Sequence, residues 1–543
     1  MNQQTAKRLG RIALDELRCA MTSIDTSGHP RPFYISFLVR DMESWEIAAR
    51  FGTLSADSHE RKRNCFCDVR VGSYKYDQVQ DGGLQDNSKD DDSYHCTNLP
   101  FGPGDAGLQH GLWRLAEVRY REAAEEYARR TSLALTFLDR NRSFPSFQRR
   151  EAASDSRWSE LAKVDRRYWC RFVEEASALL RDYHEIKDCS VELRVQNRVS
   201  VFASSEDALL IQSQPYWSLR CQLWMLSETG DAFPWTIHHF VCDPSELPDQ
   251  RRFRAEIRKN VRALGKLAHA SPLRSYSGPV LLDPVPAGLL IHEAIGHRLE
   301  GNRLLSSGEG QTFRDSLGAQ ILPEFLSIRD DPRLQRFQGK SLVGHYAYDD
   351  EGVPAEDAHL VQQGVLRGFL TSRAGITKDH RSNGHGRNDS FERPISRMAV
   401  TKVEAENGLN AAELKAALIA EVKRRRLPFG IRILAGSGGE TATDAYNFQA
   451  FLGEIDLAAK VYPDGREEIV RGVDFVGTPL NAMGSILAAG SHPVVDNANC
   501  GAESGWVPVS TISPALLVGH LELQAKIDSP LAQHCYPMPW ERG

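Results

Sequence analysis

Leu289-Leu290-Ile291-His292-Glu293-Ala294-Ile295-Gly296-His297-Arg298-Leu299-Glu300-Gly301 sets two imidazoles and two carboxylates close together, after an apolar run and ahead of a glycine. Neutral imidazoles are good zinc ligands, and a carboxylate beside one can activate a metal-held water. Zinc proteases commonly use H-E-x-x-H, whose histidines fall at i and i+4 on one helix face. Here the spacing is H-E-x-x-x-H. On a regular α-helix, positions i and i+5 lie about 140° apart, which is awkward for joint coordination. The spacing therefore predicts a π-bulge or another helix distortion near Gly296 that returns both rings to one side. The alternative is a regular, solvated helix with His and Glu on its polar face.

Around this stretch the chain is ordinary in composition. Its 543 residues predict two or more domains, and 41 % hydrophobic with 25 % charged residues is typical of a globular protein. A net charge of -6 argues against general affinity for nucleic acid or an anionic membrane. Met1 to Ala20 is polar, with Lys7, Arg8 and Arg11, and does not resemble a signal peptide. No apolar run approaches the roughly 20 residues of a membrane helix, so a cytoplasmic protein is expected. The 10 cysteines are scattered. In a reducing compartment they read as small buried residues, and Cys65-x-Cys67 lacks the spacing of a zinc knuckle.

Periodicity predicts helices at 5–20, 113–138, 156–183 and 250–269, and strands near 33–39, 67–76, 190–195, 199–203, 208–212, 219–227 and 236–241. Between them, 77–107 is polar and Gly/Asp-rich, including Lys89-Asp90-Asp91-Asp92, and reads as a loop. Arg140 to Arg150 is basic, but Glu151 and Asp155 follow at once, which weakens a nucleic-acid reading. A strand at 278–282 leads into the motif helix, which should begin near Ala287 after Pro284 and Pro286. Beyond the motif, strands dominate: 344–348, 358–361, 365–370, 398–403, 430–434, 447–463 and 468–476, with Asp464-Gly465 as a hairpin turn. Helices are expected there only at 410–425 and 479–489. The expected class is α+β: an N-terminal mixed α/β domain over 1–275, then a mainly antiparallel, barrel-like β domain over 276–543 carrying the metal helix.

A catalytic zinc normally takes three protein ligands and keeps a position for water. Glu300 or a distant Cys, His or Asp could supply the third. Cys500 lies in the polar, glycine-rich run Asp496 to Val509, unlike the surroundings of a buried apolar cysteine.

The motif resembles the signature of the TldD/PmbA family of zinc metallopeptidases, on its metal-bearing TldD side. Further segments are similar to the family in the right order over roughly 280–515. They are Gly344 with Asp349-Asp350-Glu351-Gly352-Val353-Pro354, Ser382 to Arg387 through Pro394 to Met398, Gly438-Gly439-Glu440-Thr441 with Asn447-Phe448, and Cys500-Gly501 through Val507-Pro508-Val509. The N-terminal half resembles it only loosely, and 77–107 and 140–160 look like additions. The resemblance implies zinc held by His292, His297 and Cys500, with Glu293 as catalytic carboxylate. It implies hydrolysis of small or unfolded peptides, as a homodimer or as a heterodimer with a PmbA-like partner lacking the metal motif. Glu300 reads as an acceptor for the N–H of a ligating histidine. His345, His385 and Arg387 are the candidates for oxyanion or substrate contact. The competing reading is a non-catalytic subunit that binds peptide or partner; neither reading involves nucleic acid or membrane.

Overall fold

The computed structural model describes residues 1–26, 28–79, 96–102, 104–136, 145–226, 232–306, 308–309, 311–378, 380–389, 391–443, 451–477, 479–526 and 538–539. The acidic run at 89–92, the start of the basic stretch at 140–144 and Asn447-Phe448 lie outside these residues.

In the N-terminal half, four strands of 18 or 19 residues form the body of an antiparallel sheet: Pro32–Arg50, Thr53–Val71, Ile186–Ser204 and Leu209–Leu226. Cys96–Asn98, Ser154–Arg157 and Ala232–Val241 extend it. Residues 33–39 and 67–76 are thus pieces of one hairpin, turning at Phe51-Gly52, both with positive φ. The missed part is exposed and charged: Glu60, Arg61 and Lys62 pair by backbone with Ser44, Glu43 and Met42. A ladder holds such a stretch as strand without any apolar face to reveal it in sequence. Cys65 and Cys67 are buried mid-strand, packed against helices Gln3–Ser23 and Ala106–Thr136. The helix expected at 156–183 is shorter, Arg166–Ala178, because Asp165 caps it by accepting from Tyr168 N–H, while Ser154–Arg157 pairs with the sheet. Helix Gln250–Ala268 covers the other end of the sheet with Phe253, Ile257, Val261 and Leu264 fully buried.

The C-terminal half contains a closed five-stranded barrel. Its strands are, in order, Gly430–Thr441, Ser275–Leu282, Leu516–Ala525, Val473–Gly477 and Phe451–Val461, and the last pairs back with the first. The expected barrel is present, though not wholly antiparallel: Gly430–Thr441 runs parallel to Ser275–Leu282. A second sheet of six strands includes the hairpin Val494–Ala502/Gly505–Ser513. Residues 344–348 form no strand. There the Asp349 carboxylate accepts from the N–H groups of Glu351, Val353 and Gly386 and folds the chain into turns. The helix expected at 479–489 stops at Gly484, and Ile486–Ala489 joins Leu516–Ala525 as a strand.

Buried arginines tie the two halves together. Arg373 donates to Glu206 at 2.7 Å, Arg393 pairs with Asp68, and Arg40 meets Asp350 at 2.7 Å. The Phe147 ring sits between the guanidiniums of Arg70 and Arg373, 3.7 and 4.0 Å from its centroid. Buried charges persist only when paired in this way.

Candidate metal centre

The motif helix, Pro284–Ala294, begins after Asp283, whose carboxylate takes two hydrogen bonds from Arg432 at 2.8 and 3.0 Å. Proline at the first helical position suits this start. Leu290, Ile291 and Ala294 are fully buried in the core shared with barrel strands and the second sheet. The α-helix ends at Ala294; Ile295 leaves helical geometry (φ -119°, ψ -51°) and Gly296–Leu299 continues as a 3₁₀ turn. The distortion expected near Gly296 is therefore a break rather than a π-bulge. Gly296 is required there by space: a Cβ at this position would lie 2.1 Å from Met398 Sδ.

The break brings the two imidazoles together, with ring centroids 4.9 Å apart and planes perpendicular. Cys500, on the hairpin strand Val494–Ala502, completes the group: its Sγ is 3.3 Å from His292 Nε2 and 3.4 Å from His297 Nε2. All three donor atoms lie within 4.8 Å of one another. A tetrahedral zinc with nitrogen at about 2.1 Å and sulfur at about 2.3 Å keeps N and S roughly 3.6 Å apart. The donor set and its spacing therefore fit zinc. The electrostatics agree. Burial opposes protonation of His297, yet Cys500 and Glu300 raise its pKa to about 10. Burial would raise the Cys500 thiol, yet the two imidazoles pull it well below its usual range. The cysteine thus favours its thiolate, beside which a bound cation would take the place of the imidazole protons.

Glu293 is 5 % exposed, and burial raises its carboxyl. It lines a cavity of about 740 Å³ with His292, His297 and Cys500. One wall is the barrel strand segment Gly436 to Thr441. Gly439 lets that strand approach, since a Cβ there would lie 2.8 Å from Glu293 Cγ. Glu300 is fully buried behind His297, with Oε2 3.2 Å from Nδ1. Burial alone would raise its carboxyl; His297 and Arg303 overcome this and hold it down at about 2. It can therefore accept the Nδ1–H and leave Nε2 aimed at the cysteine.

Two arginines at the site were not singled out in the sequence. Arg303 donates to Glu300 at 2.9 Å and to Glu503 at 2.9 and 3.0 Å, and lines the cavity. Its only signal was its place three residues after Glu300. Arg397, fully buried, donates to Cys500 O at 2.7 Å and to Cys500 Sγ at 3.3 Å. Its one signal was its place in the family-like segment Pro394 to Met398. Conversely, His345, His385 and Arg387 do not line this cavity. His345 is held by Leu342 O at 2.7 Å and Gln214 at 3.2 Å. His385 is fully buried, with its ring nitrogens 2.9 Å from Asn383 and 3.3 Å from Asp330. Arg387 is spent on the carbonyls of Met398 and Pro508. These contacts keep all three out of the cavity beside the metal donors; His345 and Arg387 line a separate, smaller one.

Residues 275–525 match the model of the PmbA/TldA metallopeptidase C-terminal domain. Over this C-terminal half the chain is similar to the TldD/PmbA family. A metalloprotease of Archaeoglobus fulgidus is 31 % identical over 260 residues, 47 % of this chain and 55 % of that protein. A zinc metalloprotease TldD homolog of Saccharolobus solfataricus is 26 % identical over 265 residues, 48 % and 54 % of the two chains. The chain thus spans about half the length of these relatives. The crystal structure of TldE from Thermococcus kodakarensis superposes with a TM-score of 0.60 at 12 % identity, over 91 % of this chain and 97 % of that one. At that identity the likeness concerns the fold, and it reaches into the N-terminal half. Among the described residues, no helix is long and apolar enough to cross a membrane.

Proposed function

We propose that this chain is a zinc metallopeptidase that hydrolyses peptide bonds in small or unfolded peptides. The observation that carries the reading is the convergence of His292, His297 and Cys500 beside Glu293 in one open cavity. The two histidines and the cysteine would hold the metal, and the naming of the Saccharolobus solfataricus relative as a zinc metalloprotease supports zinc. When bound, zinc supplies a Lewis acid that polarises the scissile carbonyl and acidifies the attacking water. Glu293 takes the proton of that water on its carboxylate and delivers it to the departing amine. No hydrogen bond from a described residue occupies its carboxylate oxygens, so they are free for this transfer. Glu300 fixes the His297 tautomer, and Arg397 donates to the Cys500 sulfur at 3.3 Å. Exposed backbone along Gly436 to Thr441 offers an edge to which an extended peptide can add. We further propose residues 1–275 and 276–543 as the two domains, and a second copy or a PmbA-like chain as partner.

The test compares the wild type with Glu293→Ala and Cys500→Ala for zinc content and hydrolysis of an unfolded peptide. Zinc is retained and hydrolysis falls at least about 100-fold in Glu293→Ala. Zinc is lost in Cys500→Ala. Full hydrolysis by Glu293→Ala would leave only the binding-subunit reading, and stoichiometric zinc in Cys500→Ala would remove the cysteine from the ligand set.

A further inference from the structure

Among the described residues lining the cavity, the carboxylates Glu293, Glu440, Asp496 and Glu503 outnumber the guanidiniums: besides the two imidazoles of the donor group there is Arg303, already committed to Glu300, Glu309 and Glu503. Asp496 is the informative member. It lies on the same strand as Cys500, four residues earlier, so both side chains leave the same face, with Ala498 between them. Across the hairpin, Thr511 opposes Asp496 and Val509 opposes Ala498, and both also line the cavity. No described residue hydrogen-bonds or ion-pairs with the Asp496 carboxylate. Burial raises its carboxyl, against the opposing fields of His292 and Lys340, and neither of those groups makes an ion pair with it. A half-buried carboxylate without a partner, directed into a cavity, is costly unless a cation meets it there.

Resting on the peptidase reading, we propose that Asp496 is a substrate-selecting residue that receives a cationic group of the peptide, either a Lys or Arg side chain or the free α-amino terminus. At about 3.4 Å per residue, Asp496 stands roughly 13 Å along the strand from Cys500. A peptide extended over this face with its scissile bond near the cysteine places a group three or four residues away over Asp496. A Lys side chain reaches it from one residue closer. The cavity then favours cationic over acidic peptides, because Glu440 and Glu293 repel the latter.

Binding is measured without turnover, on zinc-loaded Glu293→Gln, by fluorescence anisotropy. The probes are dye-labelled nonapeptides of Ala, Ser and Gln carrying one Lys or one norleucine at successive positions, each with a free or an acetylated amino terminus. One register of Lys, or the free terminus, binds about 10-fold more tightly than its neutral counterpart, as a charge-assisted pair requires. Loss on acetylation identifies the terminus; loss on Lys→norleucine identifies the side chain. Adding Asp496→Asn brings the ratio to within about 2-fold, and Asp496→Lys turns the preference toward a Glu-bearing peptide. Equal affinities of Lys and norleucine peptides together with no effect of acetylation, or a preference that survives Asp496→Asn, overturn the assignment. Should these second variants misfold, the ratio in Glu293→Gln alone decides: it must fade as salt rises from 50 mM to about 0.5 M. Hydrolysis of every probe failing with the intact Glu293 enzyme, while the charge preference in binding persists, would count against the peptidase reading and not against Asp496.

Discussion

Replacing Gly296 by Ala tests whether the helix break is set by packing against Met398. A Cβ at 296 would fall 2.1 Å from Met398 Sδ and 2.9 Å from its Cε. Both contacts are too short to persist, so Met398 must move. Its thioether is flexible, but it is only 1 % exposed and belongs to the main C-terminal core. Forcing one methyl into such a site costs about 1–3 kcal/mol. Met398→Ala alone leaves a cavity and costs about 2–5 kcal/mol. In the double variant the new methyl enters the space that the thioether left. The combined loss then falls short of the sum by about 1 kcal/mol or more, a coupling typical of residues in contact. Urea unfolding of the four metal-free proteins, followed by fluorescence and circular dichroism, measures the cycle. Zinc affinity should follow the same pattern, weakened in Gly296→Ala and partly restored in the double variant, because His297 rides on the turn that shifts. Additivity within about 0.5 kcal/mol, or a Gly296→Ala protein as stable as the wild type, would refute the packing argument.

Other substitutions probe the surroundings. Arg397→Met leaves the buried Glu300 without one of its cations and should destabilise by about 3–5 kcal/mol; Arg397→Lys should recover part of this, and in the cobalt-substituted protein the thiolate charge-transfer band should shift in Met and less in Lys. Phe147→Ala should cost about 3–5 kcal/mol and Phe147→Leu less, the loss that persists in Leu reporting the two guanidinium contacts with the ring; a Phe147→Leu protein as stable as the wild type would remove the cation–π contribution. Asp456 has a carboxyl raised by burial to about 6. A raised acid binds its proton more tightly in the folded state, so it costs stability above pH 6, and the cost fades as pH falls toward 4. Asp456→Asn should therefore stabilise by about 1–3 kcal/mol at pH 7.5 and have little effect at pH 4, read by urea unfolding at the two pH values.

What could be read from sequence was whatever leaves a local trace. The motif, its one-residue excess and the need for a distortion at Gly296 all lie within ten residues. The helix expected at 410–425 is present as Ala411–Arg424, and the structure adds a capping box formed by Asn410 and Glu413. The barrel could be expected from alternation and from the Asp464-Gly465 turn. Elements whose form is imposed by distant partners left no such trace. Residues 53–63 are too charged to look like a strand and are held by the ladder with 40–50. The hairpin bearing Cys500 is masked by glycine and asparagine, and its place is set by pairing of Gly505–Ser513 with Val400–Ala405. His345 and His385 drew attention through their family-like segments, but local sequence could not tell that their rings are held by Leu342 O and by Asn383 and Asp330, away from the metal donors. For Arg397, fully buried, the family-like segment Pro394 to Met398 was a signal, but nothing local showed that its guanidinium would reach Cys500.

The extra motif residue and the remote cysteine are two sides of one arrangement, and Ser396-Arg397-Met398 joins them. Met398 fills the notch that Gly296 leaves at the helix break. Ser396 N–H donates at 2.9 Å to the side chain of Asn302, just beyond the motif. Arg397 reaches Glu300 on the motif side at 3.5 Å and Cys500 O at 2.7 Å on the hairpin side. A single tripeptide thus contacts the break, the turn that follows it and the strand supplying the sulfur. In an H-E-x-x-H helix the i and i+4 geometry alone aligns the two imidazoles. At i and i+5 the regular helix cannot do so, and the alignment must come from tertiary contacts. Those contacts are in place only when the 396–398 segment and the 494–513 hairpin have docked. The donor set is therefore assembled by folding rather than before it. A metal that binds only the assembled set stabilises the C-terminal half by mass action, about 2.7 kcal/mol at a free concentration 100 times its dissociation constant.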